Sequence, residues 1–462
     1  MALIKSISGI RGTIGGHPGE GLSPIDVVKF TSAFATLIRR QHPTKQLTFV
    51  VGRDARLSGQ MVDQLVVATL TGMGINVIET GLSTTPTTEM SVIGHHADGG
   101  IIITASHNPK HWNALKLLNE KGEFIDAAEG TEVLRIADNI EEIDFAEVDS
   151  LGSINYDTDA IEKHIQHILN LPLVDVAAIR NANFKVAVDA VNSTGGIAIP
   201  KLLEALGVSQ IIKLNCDPIG IFAHNPEPIP QNLTGISQTV SQNHCDIGIV
   251  VDPDVDRLAL VCENGQMFGE EYTLVSIADY ILTHTPGNTV SNLSSSRALK
   301  DITAKFSGSS YAAAAVGEVN VTKLMKETQA VIGGEGNGGI IYPALHYGRD
   351  ALVGTALFLT LLAKSGMKAS ELRKTYPEYV ITKNRKDLTP DINVDILLKN
   401  TAEKYQALPN CTVTTIDGVK IDFADGWVHL RKSNTEPIIR IYSEAASENR
   451  ANQLAQSIIN EL

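Results

Sequence analysis

One pattern recurs three times in this 462-residue chain and constrains its fold more than any other feature. An apolar, β-branched segment leads into a turn rich in Ser, Thr, Asn or Gly, then into a helix-like segment and a second apolar segment. The three copies begin at Leu47, Phe184 and Asn288, and a glycine follows near each helix end, where helix C-caps favour it. Repeated strand–helix–strand units with parallel pairing predict three related α/β domains.

The C-terminal part of the chain follows a different pattern. Residues 411–433 alternate apolar and polar side chains around Asp-Gly turns, which is typical of antiparallel hairpins. Residues 447–462 have the pattern of an amphipathic helix. We therefore expect an α/β protein whose fourth domain is α+β. The predicted domains span residues 1–155, 156–262, 263–373 and 374–462.

Composition argues against nucleic-acid and membrane partners and favours a cytoplasmic location. The formal net charge of −14 argues against nucleic acid or an anionic membrane as the main partner, although a local Arg/Lys cluster could still bind a small anion. The four cysteines form no C-x-x-C pair, which favours a reducing compartment. The N-terminus lacks the apolar core of a signal peptide, and the most apolar stretch, residues 351–363, has the length of a buried helix. We expect a cytoplasmic protein; the sequence leaves its oligomeric state open.

Three carboxylates at alternate positions form the sharpest local motif. Asp252, Asp254 and Asp256 directly follow a strand-like apolar run and would repel one another unless a cation binds them. Oxygen ligands without nearby Cys or His favour Mg²⁺ or Ca²⁺ over zinc. An EF-hand is excluded because Arg257 occupies the position that needs glycine, and because strand-like segments flank the loop. A solvated acidic loop remains the alternative.

Two glycine- or hydroxyl-rich segments offer groups for binding a polar ligand. Residues 431–440 combine guanidinium, hydroxyl and backbone N–H donors, which could form an anion cradle, or an ordinary N-cap. The cradle candidates are Arg431, Ser433, Asn434, Thr435 and Arg440. Residues 333–339 are glycine-rich, and Glu335 and Asn337 there could bind adjacent hydroxyls, or the segment is a surface turn.

The stretch Thr104–Pro109 places Ser106 beside His107 just after a predicted buried strand. Ser106 is either a nucleophile or a polar turn residue, since Ser and Asn are common in turns. Its neighbours in the sequence do not decide between the two.

Together these motifs resemble the α-D-phosphohexomutases, the family that contains phosphoglucomutase, phosphomannomutase and phosphoglucosamine mutase. TASHNP resembles the family's phosphoserine loop, DPDVDR its magnesium loop, GEGNG its sugar loop and RKSNTEPIIR its phosphate-binding loop. SGIRG, GRDARLSG and GIFAHNPEPIPQNL also resemble family segments, so the resemblance covers nearly the whole chain. It implies four domains around a central cleft.

The resemblance also implies a mechanism. Phosphorylated Ser106 transfers its group to a sugar monophosphate, the resulting 1,6-bisphosphate turns around, and its other phosphate returns to the serine. Mg²⁺ would be bound by the three aspartates and by Ser106. The implied catalytic residues are Ser106, His107, Lys116, Arg11 and Arg257. Lys116 could assist proton transfer or stabilise charge. The chain departs from the family's motifs at two positions. Asn337 stands where many members have Ser, and Ala114 stands where Gly is usual.

The segment Ala315–Lys323 resembles the specificity loop of phosphoglucosamine mutases. Glu318 in this segment offers a carboxylate to the protonated 2-amino group of glucosamine, a charge-assisted contact that a 2-hydroxyl cannot match. We expect conversion of glucosamine 6-phosphate to glucosamine 1-phosphate, while a dual phosphoglucomutase/phosphomannomutase is the competing hypothesis within the family. Two alternatives lie outside the mutases. A metal-dependent phosphatase would hydrolyse the phosphoserine with water and release phosphate without forming an isomer. A phosphosugar-binding regulatory protein is disfavoured, because it would not need the aspartate loop.

Overall fold

The computed structural model of the chain describes four stretches separated by short gaps. They are residues 2–6, 9–388, 393–432 and 438–461, without the side chain of Ser6. The chain forms two compact units, residues 1–273 with 338–372 and residues 274–337 with 373–462. Within the described stretches, no helix has both the length and the apolar character needed to cross a bilayer.

The first part of the chain forms a mixed sheet with helices. Its elements are β1 (Leu3–Ser6), β2 (Gly9–Thr13), α1 (Pro24–Gln41), β3 (Thr48–Arg53), α2 (Gly59–Gly72), β4 (Asn76–Leu82), α3 (Thr85–Gly94), β5 (Gly99–Ile103), β6 (Trp112–Leu118), α4 (Ala127–Asp138) and β7 (Ile154–Tyr156). The described strands lie in the order β1-β2-β6-β5-β3-β4-β7. β3 pairs in parallel with both β4 and β5. The strand–helix–strand unit predicted from Leu47 is therefore confirmed, and the residues that follow β5 lie at the carboxyl edge of this parallel part.

The second sheet repeats this arrangement. Its elements are α5 (Ala160–Leu169), α6 (Val176–Ala182), β8 (Lys185–Asp189), α7 (Gly195–Ala205), β9 (Gln210–Leu214), α8 (Thr234–Gln242), β10 (Ile247–Val251) and β11 (Leu258–Cys262). β8 pairs in parallel with β9 and β10, while β11 is antiparallel to β10. Strands β10 and β11 flank the aspartate loop, which confirms that it is not an EF-hand. Asp252 follows directly on the buried strand β10.

The third segment contains the last of the three predicted repeats. Its elements are α9 (Glu270–His284), β12 (Thr289–Asn292), α10 (Ala298–Thr303), β13 (Tyr311–Ala314), α11 (Glu318–Glu327), β14 (Ile332–Glu335), β15 (Gly339–Ile341), α12 (Ala351–Ser365) and α13 (Ala369–Arg373). β12 is parallel to both β13 and β14. Helix α12 is buried along most of its length, as the apolar stretch 351–363 predicts.

The C-terminal segment is α+β. Its elements are β16 (Val380–Asp387), α14 (Val394–Gln406), β17 (Cys411–Thr414), β18 (Val419–Phe423), β19 (Gly426–Lys432), β20 (Ile438–Ala445) and α15 (Glu448–Ile459). The strands lie in the order β16-β20-β19-β18-β17, and each neighbouring pair is antiparallel. Apolar residues of α15 pack with those of the strands in one core. The predicted hairpins, the closing helix and the fold class are confirmed; the exact domain boundaries remain predictions.

Candidate active site

Ser106 follows β5 in a strained loop that one buried arginine supports. Its φ of 48° is in the left-handed region, which side chains other than glycine rarely adopt. The guanidinium of Arg56, itself fully buried, donates to several main-chain carbonyl oxygens of the loop. The acceptors are the oxygens of Ser106, Asn108 (2.7 Å), Pro109 (2.9 Å) and Trp112 (3.1 Å). A backbone held by this many bonds can retain local strain, a common feature of functional sites.

The Ser106 hydroxyl contacts the aspartate loop. Its Oγ donates to Oδ2 of Asp252 at 2.7 Å and lies 3.3 Å from Nδ1 of His107. Only 3% of Ser106 is exposed. The carboxyl ends of β5 and β10, which are far apart in sequence, therefore bring together the serine and the first aspartate, two residues predicted to share a metal ion.

The three aspartates form a compact, fully buried group, in which one carboxylate oxygen of each lies within 4.8 Å of the others. Lys116 Nζ donates to Oδ2 of Asp254 at 2.7 Å and to Oδ2 of Asp256 at 3.3 Å. Arg349 Nη2 also donates to Oδ2 of Asp256, at 2.7 Å. Arg349 was not among the residues predicted from the sequence, because no motif around it indicated a contact with a residue 93 positions earlier.

The electrostatics of this group fit a bound dication. Burial and the neighbouring carboxylates of Asp256 and Asp254 raise the pKa of Asp252 well above its usual range. Burial acts in the same direction on Asp254, but its ion pair with Lys116 outweighs burial and lowers the pKa of Asp254. Oδ1 of Asp254 and Oδ1 of Asp256 are buried and accept no hydrogen bond. Buried carboxylate oxygens of this kind match the ligands that Mg²⁺ prefers.

The aspartate loop is strained in the same way as the serine loop. Val255, between Asp254 and Asp256, has a φ of 65°, an outlier for a β-branched residue. Such strain is often found where side chains must converge on a ligand.

Cationic side chains surround the serine. Arg11 Nη1 donates to Oδ1 of Asn108 at 2.6 Å. Burial and the nearby charges of Arg257 and Arg56 lower the pKa of Arg11, although Asp254 opposes them. Burial, together with Arg257 and Arg11, lowers the pKa of His107 to about 2, so its imidazole is neutral at physiological pH. Clustered guanidiniums repel one another unless an anion lies between them, and phosphate suits their geometry.

The predicted sugar-binding residues lie in the second unit. Glu318 and Glu335 are buried, and Asn337 is half-buried. Oε1 of Glu335 accepts hydrogen bonds from Nδ2 of Asn292 at 2.8 Å and from the main-chain N–H of Gly317 at 3.1 Å. The structure therefore connects the sugar-loop glutamate to the turn that immediately precedes Glu318.

Only part of the predicted phosphate cradle can be placed. Ser433, Asn434 and Thr435 lie outside the described residues. Arg431 is on β19, with Nε 2.9 Å from Oδ2 of Asp417. Arg440 on β20 lies directly opposite Arg431 in the strand register.

A third arginine extends this row. Arg385 on β16 lies directly opposite Arg440, so Arg385, Arg440 and Arg431 cross three adjacent strands on one face. Like charges directly opposite one another destabilise a sheet, and the nearby carboxylates of Asp417 and Asp387 offset this for Arg431 and Arg385. Arg385 was not among the residues predicted from the sequence, because only the pairing of β16 with β20 places it beside Arg440.

Comparison with known protein families finds four domain matches that follow one another along the chain. The four phosphoglucomutase/phosphomannomutase domain families, the α/β/α domains I, II and III and the C-terminal domain, match in order. The matched residues are 3–144, 162–265, 269–379 and 392–461.

Individual relatives cover nearly all of the chain. A phosphoglucomutase/phosphomannomutase of Thermococcus kodakarensis is 36% identical over 96% of both chains. A phosphoglucosamine/phosphogalactosamine mutase of Sulfurisphaera tokodaii is 31% identical over 100% of this chain and 98% of its own. A solved phosphoglucomutase/phosphomannomutase family protein of Burkholderia thailandensis has a TM-score of 0.84 at 25% identity, covering 99% of this chain and 96% of its own. The chain therefore belongs to the phosphoglucomutase/phosphomannomutase family of phosphohexomutases.

Proposed function

We propose that this phosphohexomutase interconverts glucosamine 6-phosphate and glucosamine 1-phosphate through a phosphoserine at Ser106 and a 1,6-bisphosphate intermediate. The observation that carries the phosphoserine assignment is the position of Ser106 Oγ, 2.7 Å from Asp252 in a buried carboxylate group surrounded by cations. A turn serine without a chemical role needs neither the strained backbone nor these partners.

In the first unit, we assign phosphoryl transfer to the serine loop and its neighbours. Asp252, Asp254 and Asp256 would hold Mg²⁺ together with a phosphate oxygen on Ser106, and the ion would neutralise charge on the transferring group. Arg11 and Arg257 stabilise the remaining phosphate charge.

Lys116 stabilises charge rather than moving a proton in this proposal. Burial lowers its pKa, but Asp254 and Asp256 outweigh burial and raise it, which keeps the ammonium protonated. Neutral His107, with Nδ1 3.3 Å from Ser106 Oγ, can accept a hydrogen bond from the serine hydroxyl after the phosphoryl group has left.

In the second unit, we assign recognition of the parts of the substrate that do not react. Arg431 and Arg440, with Ser433, Asn434 and Thr435, bind the phosphate that is not being transferred. Glu335 and Asn337 bind sugar hydroxyls. A fixed anion site lets the bisphosphate be held in either orientation, so that each of its phosphates can react in turn.

Glu318 carries the substrate preference in this proposal. Its carboxylate is buried rather than solvated, so an ion pair with the 2-ammonium group of glucosamine is little screened. The names of the relatives support both this substrate and the competing hypothesis, a dual phosphoglucomutase/phosphomannomutase.

The test is kcat/KM for the 6-phosphates of glucosamine, glucose and mannose, in wild type, Glu318→Gln and the control Glu327→Gln. Glu327 is an exposed glutamate on the same helix. We expect a wild-type preference for glucosamine phosphate that Glu318→Gln lowers about tenfold or more and Glu327→Gln leaves unchanged. A wild-type preference for mannose or glucose phosphate would support the dual-specificity mutase. Release of free phosphate without isomerisation would indicate a phosphatase.

A further inference from the structure

A second buried polar cluster lies in the first unit, separate from the three aspartates. His164 on α5 and Asp350 at the start of α12 face each other, with Nε2 of the histidine 3.0 Å from Oδ2 of the aspartate. Nε2 of His346 lies 3.3 Å from the same oxygen. All three residues are buried, and one potential ligand atom of each lies within 4.8 Å of the others. One imidazole from α5, and an imidazole and a carboxylate four residues apart before α12, therefore converge on one point.

The spacing of these atoms matches a small dication. A tetrahedral Zn²⁺ at about 2.0–2.1 Å from its ligands holds neighbouring ligand atoms about 3.3 Å apart. The two measured separations, 3.0 and 3.3 Å, are close to this value. Imidazole nitrogen with a single carboxylate is a donor set that suits zinc and similar transition metals better than Mg²⁺.

Each ligand side chain also makes a polar contact through the atom that does not face the centre of the cluster, as is usual in metal sites. Nδ1 of His164 lies 3.0 Å from the hydroxyl of Thr87, and Nδ1 of His346 lies 3.4 Å from Oε2 of Glu89. Oδ1 of Asp350 accepts two main-chain N–H bonds in the first turn of α12, at 2.7 and 3.2 Å. These contacts direct both Nε2 atoms and Oδ2 towards one another.

Charge balance favours a cation as well. The carboxylate of Asp350 is fully buried, and a buried charge is costly unless it is compensated. A dication would compensate the carboxylate of Asp350 and leave both imidazoles neutral, the form that binds metal.

We propose that His164, His346 and Asp350 bind one divalent transition-metal ion, Zn²⁺ in particular, with water as the fourth ligand. The ion would connect α5 to the segment that precedes α12. That segment includes Arg349, which lies between two of the ligands in sequence and donates to Asp256. The metal would therefore fix the position of Arg349 as well as stabilise the first unit. This inference does not depend on the proposed reaction or its substrate.

The test measures metal content and ligand geometry directly. Wild-type protein is stripped with chelator, reloaded with Zn²⁺ or Co²⁺ in millimolar Mg²⁺, and freed of unbound metal. We expect about one zinc per chain by elemental mass spectrometry, and for cobalt the intense visible absorption of a four-coordinate ion. His346→Ala should lose both signals. Asp254→Asn and His95→Ala should retain them, since His95 pairs with an aspartate (Asp157) but is partly exposed.

Glu89→Gln keeps the test decisive if His346→Ala does not fold. It preserves all three ligands but removes the carboxylate behind His346, so zinc affinity should fall about 10- to 100-fold. A wild-type protein that takes up neither zinc nor cobalt stoichiometrically would overturn the proposal, and the cluster would then be a hydrogen-bonded network with protonated histidines. Undiminished zinc binding in His346→Ala, or unchanged affinity in Glu89→Gln, would equally overturn it.

Discussion

At the scale of single residues, hydrogen bonds from Arg56 stabilise the strained backbone conformation of Ser106. A left-handed backbone at a residue other than glycine costs about 1 kcal/mol or more, and here it directs the serine Oγ towards Asp252. The hydrogen bonds from Arg56 to the loop offset this cost. Because the guanidinium of Arg56 already donates to Asp54 and to the carbonyl oxygens of the loop, it is not available to bind phosphate, and we expect it to position the loop only.

The first prediction is that Ser106 is phosphorylated. Purified protein should contain a species heavier by one phosphate, and the added mass should map to the peptide containing Ser106. Ser106→Ala should abolish both the added mass and nearly all mutase activity, whereas Ser91→Ala, at another buried serine of the same unit, should change neither. Isomerisation by Ser106→Ala at the wild-type rate would rule out the covalent mechanism.

At the scale of secondary-structure elements, the sequence predicts those features that are formed by residues close together in the chain. Alternating and helical hydrophobic periodicities predict the three strand–helix–strand units, because each depends on residues within about thirty positions of one another. The aspartate loop is predictable for the same reason, since its three carboxylates are close in sequence. Arg349 beside Asp256 and Arg385 beside Arg440 are not predictable in this way, because those contacts arise only when distant strands and loops pack or pair.

The second prediction concerns the row of arginines across β16, β20 and β19. If Arg385 contributes to the phosphate cradle, Arg385→Ala should raise KM about 3- to 10-fold, a smaller effect than for a buried ion pair because its side chain is 65% exposed. Lys386→Ala, on the opposite face of the same strand, should leave KM unchanged. Equal effects of the two substitutions on steady-state kinetics would show that Arg385 does not belong to the cradle.

The third prediction concerns pH and the contact between α2 and β4. Burial, and the nearby carboxylate of Glu79, raise the pKa of Asp63 to about 7. The folded protein then keeps this proton between about pH 4 and pH 7, where the unfolded chain releases it, so Asp63 contributes less stability as pH rises through this window. At pH 8, Asp63→Asn should be more stable than wild type by on the order of 1–3 kcal/mol, with little difference near pH 4.

Urea unfolding of wild type and Asp63→Asn at several pH values measures this effect. Asp144→Asn, at an exposed position in the same unit, provides the matched control, since it also replaces one carboxylate by an amide. A stabilisation by Asp63→Asn that is the same at all pH values would show that the aspartate is not protonated in the folded state.

At the scale of the whole molecule, the candidate residues divide between the two compact units. Ser106, the three aspartates and the arginines around them belong to the first unit, and the sugar-binding and cradle residues belong to the second. The net charge of −14 does not conflict with an anionic substrate, because each of these two groups contains arginine side chains that can bind phosphate locally. In the proposed reaction, the first unit performs the transfer and the second provides binding energy.

The last prediction tests this division by single-turnover kinetics. Protein phosphorylated on Ser106 is mixed with increasing concentrations of sugar phosphate, and loss of phosphoserine is followed by mass spectrometry. Asp254→Asn removes one carboxylate charge, so it should weaken Mg²⁺ binding and slow transfer even at saturating sugar phosphate. Excess chelator should likewise slow transfer by the wild-type protein at saturating sugar phosphate.

Arg440→Ala should act mainly on the concentration dependence of that transfer. Loss of a charge-assisted contact to the non-reacting phosphate costs about 1.5–3 kcal/mol, which corresponds to a rise of roughly 10- to 150-fold in the half-saturating concentration. The maximal rate should fall less, because remote binding energy only helps to orient the reacting group. If Arg440→Ala instead slows transfer at saturation as much as Asp254→Asn does, the arginine takes part in the chemical step and the proposed division between the units is wrong.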